Sequence, residues 1–272
     1  MVITNTNNIT TGTTGALPKE GIYGGAIAHA DGDAALNLAY AATGGTATAS
    51  TNISNTGVIK SNWNGITTRA FAYANGFGNS TLAGGTGTGG HAEAHVVINN
   101  TGGSITSATG MGIYGSAKAI ASGYGFNAFG GLTTAIATDN ENNNAPIVSV
   151  NDGIVGLSNA QDNGIGSTTF PGSGTGGIAS ASTVVTNGAG GVITVSGVGQ
   201  EGIDAQSYAG ARGVGYTAQG GYATASTSIT NAGAIKSRGD GLYSSSTARA
   251  GWSRSWSAAV AKPSSPPPSN GP

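Results

Sequence analysis

A two-part pattern recurs six times along the chain, and it limits the possible folds more than any other feature. The first part reads [IV]-x-N-x-G-x-I and begins at Ile3, Ile53, Val97, Val148, Val185 and Ile229. The second part is a glycine followed by Ile22, Ile66, Ile113, Ile165, Ile203 or Leu242, at intervals of 44, 47, 52, 38 and 39 residues. Repeats of this length are typical of solenoids, propellers and arrays.

The segments between these landmarks have the period of β-strands. Apolar and polar residues alternate in "TATAST" (46–51), "HAEAHVVI" (91–98) and "YATASTSI" (222–229), as in a half-buried strand. The alternating apolar positions hold mostly Ala, Val and Ile, which suits a narrow solenoid better than a propeller. We therefore expect an all-β fold, a single right-handed parallel β-helix of about six repeat units with roughly two coils each. At about 4.8 Å per coil this makes a rod of roughly 60 Å.

Asparagine and glycine have defined places in the repeat. Five units carry asparagine at the third position of the first part, and the fourth unit has a displaced Asn151; the five are Asn5, Asn55, Asn99, Asn187 and Asn231. Stacked asparagines can hydrogen-bond to one another in a ladder, and glycine permits tight corners. Tracts of variable length, such as 74–90 and 138–146, are expected in surface loops.

Composition excludes several function classes. Charged residues make up only 8% of the chain and the formal net charge is −1, so we expect no nucleic-acid partner. No run of about 20 apolar residues is present, so we expect no direct membrane span. The opening "MVITNTNNIT" lacks the features of a signal peptide, which fits a chain that is not secreted, a mature piece or a fragment.

The two ends differ from the repeats between them. Trp252 and Trp256 lie close together in "GWSRSWSAAV" (251–260), where a bulky cap would protect the last coil. The Pro/Ser-rich segment 261–272 is typical of an extended linker or tail. We therefore predict one β-helical domain over residues 1–260, followed by this tail.

The repeated units resemble the passenger regions of bacterial autotransporters and related β-helical surface adhesins over roughly residues 3–260. The resemblance implies a secreted or surface-exposed protein, at the outer membrane or outside the cell. It also implies a partner among host or bacterial cell-surface receptors, matrix components or glycans. The membrane barrel and signal peptide usual in that family are missing from this sequence.

The tripeptide Arg238-Gly239-Asp240 spells an integrin-binding motif known from extracellular adhesive proteins. In five of the six units, however, the residue before the G-[IL] pair is polar, as expected at a corner. The repeat therefore accounts for Asp240, and we interpret the tripeptide first as a turn. Ligand binding at Arg238, Gly239 and Asp240 is the alternative, and the corner position predicts that these residues are exposed.

Two further groups contain residue types that can bind metal ions. His91, Glu93 and His95 lie on one face of a predicted strand and have side chains that can bind zinc. They would lie on an open surface, so we interpret them as solvated. Asp31 and Asp33 lack the rest of any calcium-binding motif and are interpreted as loop residues. We expect no metal site and no cofactor.

The sequence favours a non-catalytic role in adhesion or in the display of surface loops. Carboxylates that could serve glycoside chemistry in pairs are scattered, and nothing in the sequence selects Asp152, Asp162 and Asp204 from the rest. We therefore expect no enzyme. The alternatives are a passive scaffold rod, a polysaccharide-acting β-helix enzyme, or an ice-binding solenoid, for which the short Thr-x-Thr pieces are too irregular.

Overall fold

The computed structural model describes residues 1–11, 19–33, 41–79, 85–139, 143–168 and 172–254. Over these residues the protein is all-β, with parallel sheets, as the sequence predicts. The predicted cap residue Trp256 and the tail 261–272 lie outside the described residues, as does part of each variable tract.

The strands are grouped here by repeat unit. The first unit contains β1 (Val2–Asn5), β2 (Ile9–Thr10), β3 (Ile22–His29), β4 (Gly32–Asp33) and β5 (Ala41–Thr43). The second contains β6 (Thr46–Asn55), β7 (Ile59–Ser61), β8 (Ile66–Phe77) and β9 (Thr86–Thr88). The third contains β10 (His91–Asn100), β11 (Ile105–Ser107), β12 (Ile113–Tyr124) and β13 (Asn127–Phe129).

The remaining units follow the same order of long and short strands. The fourth contains β14 (Leu132–Asp139), β15 (Ile147–Ser149), β16 (Ile154–Ile165) and β17 (Ser173–Thr175). The fifth contains β18 (Ile178–Asn187), β19 (Ile193–Val198), β20 (Ile203–Gly215) and β21 (Thr217–Gln219). The sixth contains β22 (Tyr222–Asn231), β23 (Ile235–Arg238) and β24 (Leu242–Arg254).

These strands form four parallel sheets, which the chain visits in the same order in each of the first five units; the described residues of the sixth unit contribute to sheets A, B and C. Sheet A contains β1, β6, β10, β14, β18 and β22, and sheet B contains β2, β7, β11, β15, β19 and β23. Sheet C contains β3, β8, β12, β16, β20 and β24, with β4 also paired to β8. Sheet D contains the short strands β5, β9, β13, β17 and β21.

Successive units contribute neighbouring strands to the same sheets, so the pairing does not agree with the expectation of roughly two coils per unit. Equivalent residues of successive units pair directly, as Ile66 does with Ile113. Because a whole unit is needed to pass through all four sheets, six strands at about 4.8 Å spacing span only about 24 Å. The length of the repeat alone did not show how many strands each unit contributes to the fold.

The fourth unit was also misaligned in the sequence. Its core residue is Ile154, which pairs with Ile113 and Ile203, whereas Ile165 lies at the far end of β16 opposite Tyr124 and Val214. This unit contains two glycine–isoleucine pairs. Only the first places its isoleucine in the buried column of sheet C.

The core is built from columns of equivalent residues. Sheets A and C face one another through small side chains, such as Ala94 and Ala119, which are fully buried. Larger isoleucines are also fully buried, among them Ile59, Ile105, Ile147 and Ile193 of sheet B. Stacked identical side chains bury one another in successive units.

A ladder of asparagine side chains runs through the fold at the ends of the sheet A strands. Each side-chain Nδ2 donates to the Oδ1 of the next unit at 2.7–3.0 Å, in the order Asn5, Asn55, Asn100, Asn143, Asn187 and Asn231. The predicted ladder is therefore confirmed, but two members are corrected. Asn100 replaces Asn99, which lies on the other face of β10, and Asn143 replaces Asn151.

Candidate functional site

The tripeptide Arg238-Gly239-Asp240 lies at an exposed corner between β23 and β24. The Gly239 N–H donates to the Gln200 carbonyl at 3.1 Å, and the Asp240 carbonyl accepts from the Gly202 N–H at 2.9 Å. The Ser237 hydroxyl lies within hydrogen-bonding distance of the Gly239 and Asp240 carbonyls. The backbone here makes the hydrogen bonds of a repeat corner, and ligand binding by the tripeptide stays a prediction.

His91, Glu93 and His95 share the outer face of β10, while Ala92 and Ala94 are buried on the opposite face. Glu93 lies between the imidazoles, with its Oε1 3.0 Å from His91 Nε2 and its Oε2 3.8 Å from His95 Nε2. The carboxylate therefore contacts imidazole nitrogens. Within the described ranges, no group of three or more His, Cys, Asp or Glu residues is arranged to hold a metal ion.

Three acidic residues, Asp152, Glu201 and Asp204, lie near the N-terminal ends of the sheet C strands β16 and β20. The sequence alone did not group them. The Glu201 N–H donates to Asp152 Oδ1 at 2.8 Å. A side-chain hydrogen bond with Asp152, burial and repulsion by neighbouring carboxylates raise the pKa of Glu201. Burial also raises the pKa of Asp204, against the effect of Gln206, whose Nε2 lies 2.9 and 3.0 Å from the Asp204 oxygens. Asp162 does not join this group, because it lies near the other end of β16.

Asp162 is buried in the core of sheet C, at a position where neighbouring units have alanine. Neither carboxylate oxygen has a well-formed hydrogen bond within the described part of the chain. Burial raises the pKa of Asp162 to about 7, and the backbone N–H groups of Gly131, Gly177 and Ile178 offset only part of that effect. The carboxyl group faces the core. It therefore affects the stability of the fold and is not positioned to contact a ligand.

The broadest candidate surface is the outer face of sheet C, defined as the side chains that alternate with the buried residues of its long strands. Each long strand contributes several of these positions, and strand pairing brings them into rows across units. The row through Ile27 continues with Phe71, Lys118, Asn159, Tyr208 and Thr247. The next row contains His29, Tyr73, Ile120, Gln161, Gly210 and Arg249.

Aromatic rings on this face are fixed by contacts between units. His29 stacks on Tyr73 with ring centroids 4.7 Å apart, and Phe77 stacks on Tyr124 at 5.0 Å. The Arg69 guanidinium lies 5.5 Å from the centre of the Tyr114 ring. These rings come from separate repeats, and pairing of equivalent residues brings them together on a rigid sheet.

Two grooves cross the outer face of sheet C on either side of Tyr208. The first has a volume of about 360 Å³ and is lined by Gln161, Asn163, Tyr208, Gly210, Arg212 and Arg249. The second has a volume of about 280 Å³ and includes Asn159, Gln206, Tyr208, Ser245 and Thr247. Amide, hydroxyl, guanidinium and aromatic groups thus border one continuous stretch of surface.

Sequence reasoning missed this face. Its members are separated by about one repeat unit in the chain, and the misaligned fourth unit hid the rows. With Ile154 as the anchor of that unit, the period-two pattern would have placed Asn159 and Gln161 beside Tyr208 and Gly210. The signal was present in the sequence but depended on correct register.

Comparisons of the chain with protein-family models, curated proteins and solved structures find no match. The described residues include no helix with the length and apolar character needed to cross a bilayer.

Proposed function

We propose that the chain forms a single right-handed parallel β-helix with one coil per repeat unit, and that it acts without catalysis in adhesion. Three features support this architecture: the constant order in which the units contribute strands to the sheets, the asparagine ladder and the columns of buried isoleucine. The right hand follows from the strong preference of parallel crossover connections.

The outer face of sheet C is the observation that carries the adhesive role. Long paired strands hold its aromatic, amide and cationic side chains in fixed rows, and sites on strands are placed more accurately than sites on loops. A repeated face also offers several weak contacts at once, which strengthens attachment when many copies act together.

We place this protein outside the cell or at the outer-membrane surface, as the resemblance to autotransporter passengers implies. Its partner would be a host or bacterial cell-surface receptor, a matrix component or a glycan. The exposed corner at Arg238, Gly239 and Asp240 is a second, weaker candidate contact, because its backbone is already explained by the repeat.

Beads coated with the purified protein test the adhesive role. We expect the beads to bind bacterial or epithelial cells, and the double variant Tyr114→Ser/Tyr208→Ser to bind several-fold less. Tyr222→Ser is the matched control, because Tyr222 is 64% exposed but belongs to sheet A. The proposal fails if coated beads do not bind cells, or if the control variant loses as much binding as the double variant.

A further inference from the structure

The first groove on the outer face of sheet C has two glycines, Gly210 and Gly251, in its lining. Gly210 lies between Gln161 of β16 and Arg249 of β24. The ring of Tyr208 leans over this glycine, with its hydroxyl 3.0 Å from the place a Cβ would occupy. A larger residue at position 210 would displace the ring and fill the groove.

The charge of this groove is positive. Arg212 and Arg249 both line it, and none of the described residues that border it is a carboxylate. The whole chain, in contrast, has 11 acidic and 10 basic residues. A guanidinium group binds a carboxylate through two parallel hydrogen bonds, so a ligand with a carboxylate suits this pair.

The second groove differs in chemistry and continues the same surface. Its polar borders are the amides of Asn159 and Gln206 and the hydroxyls of Ser245 and Thr247. These groups are uncharged and can both donate and accept hydrogen bonds. Tyr208 separates the two grooves and is shared by both, so an extended ligand would cross its ring.

A polysaccharide fits this arrangement better than a peptide or a nucleic acid. A peptide in extended form binds at a free sheet edge or inserts apolar side chains into pockets. The grooves lie on the outer face of the sheet, across β16 and β20, which are paired on both sides, and the edge strand β24, and their borders are mainly polar. A nucleic acid would require many more phosphate contacts than two arginines provide.

We propose that the two grooves bind an acidic polysaccharide, with a carboxylate-bearing sugar at Arg212 and Arg249 and a neutral sugar beside Asn159 and Gln206. Tyr208 lies between them and offers its ring to the apolar face of a sugar. This inference rests on the proposed adhesive function, because it names the class of ligand that the outer face of sheet C recognises.

Calorimetric titration of the full chain with a hyaluronan oligosaccharide, which alternates glucuronate with a neutral sugar, tests the proposal. We expect binding, and at least about tenfold weaker binding by the Arg212→Gln/Arg249→Gln variant, because two charge-assisted contacts are lost. A neutral chitin oligosaccharide of equal length should bind at least about tenfold more weakly, for the same reason. Tyr208→Ala should also weaken binding.

Matched variants distinguish specific binding at the two grooves from nonspecific attraction by positive charge. Lys60→Gln/Lys236→Gln removes two positive charges from exposed positions of sheet B and should leave hyaluronan affinity within about twofold. Tyr222→Ala should have equally little effect. Circular dichroism of each variant checks that the β fold is retained.

The inference is overturned if hyaluronan does not bind, if the neutral oligosaccharide binds equally well, or if polyglutamate displaces hyaluronan at equal charge concentration. Equal losses in the sheet B variant would also overturn it. Cell binding without hyaluronan binding would contradict this inference alone, whereas hyaluronan binding without cell binding would contradict the adhesive role alone.

Discussion

Asp162 differs from the residues at the equivalent positions of the neighbouring sheet C strands. The paired positions before and after it are Ala121 and Ala211, so a carboxyl group occupies space that the repeat gives to a methyl group. A buried carboxyl without good hydrogen bonds favours its neutral form. This explains why its pKa rises from 3.8 to about 7.

Stability should therefore fall as pH rises through this range. Below pH 3.8 the carboxyl is protonated in both states, and between 3.8 and about 7 the unfolded chain loses the proton while the folded chain retains it. Above about 7 both states are ionised and the penalty is constant. The shift corresponds to roughly 4 kcal/mol of lost stability.

Asp162→Ala tests this account at the residue scale. We expect the variant to be more stable than the parent at pH 8, and the difference to shrink as pH falls towards 4. Urea unfolding at several pH values measures it. Asp240→Ala, at an exposed corner, is the control and should show little change; an Asp162→Ala effect independent of pH would contradict the assignment.

At the scale of the element, a column of glycines explains the second part of the repeat pattern. A Cβ added at Gly65, Gly112 or Gly153 would collide with the Cγ2 of the sheet B isoleucine in the next unit and with a backbone carbonyl. The glycines are required for close approach between layers, and none of these three has positive φ. In the last unit, a Cβ added at Gly241 would have no atom of the described residues within 4 Å.

This contrast gives a matched pair of substitutions. Gly112→Ala should destabilise the fold by about 1–3 kcal/mol, because the methyl group has no room beside Ile147. Gly241→Ala should change stability by less than about 0.5 kcal/mol. Denaturant unfolding compares the two, and equal effects would show that glycine is needed for backbone freedom instead.

Much of the element level could be predicted from the sequence. Period-two alternation indicated the strands "TATAST" and "HAEAHVVI", and spaced asparagines indicated a ladder. The exact ladder members could not be read, because Asn99 and Asn100 differ only in which face of β10 they occupy. The fourth unit has consecutive asparagines at 142–144, and only the hydrogen bonds with Asn100 and Asn187 identify Asn143 as the member of the ladder.

At the scale of the whole molecule, the sequence did not reveal how many strands complete one layer. A repeat of about 44 residues fits either two short coils or one wide coil, since both keep equivalent residues in register. Long strands such as β8 and β12 provide several outward positions per unit, and these positions form the outer face of sheet C. The candidate site depends on this breadth and was therefore missed along with it.

The central claim is that one repeat unit makes one layer, and two deletions test it most directly. Removing residues 91–131 joins Gly90 to Leu132, which is paired with His91 and so keeps the register. Removing 91–110 deletes only the sheet A and sheet B strands of that unit. Urea unfolding followed by circular dichroism should show a cooperative transition for the first protein and its loss for the second. A cooperative transition for the second protein would contradict the account.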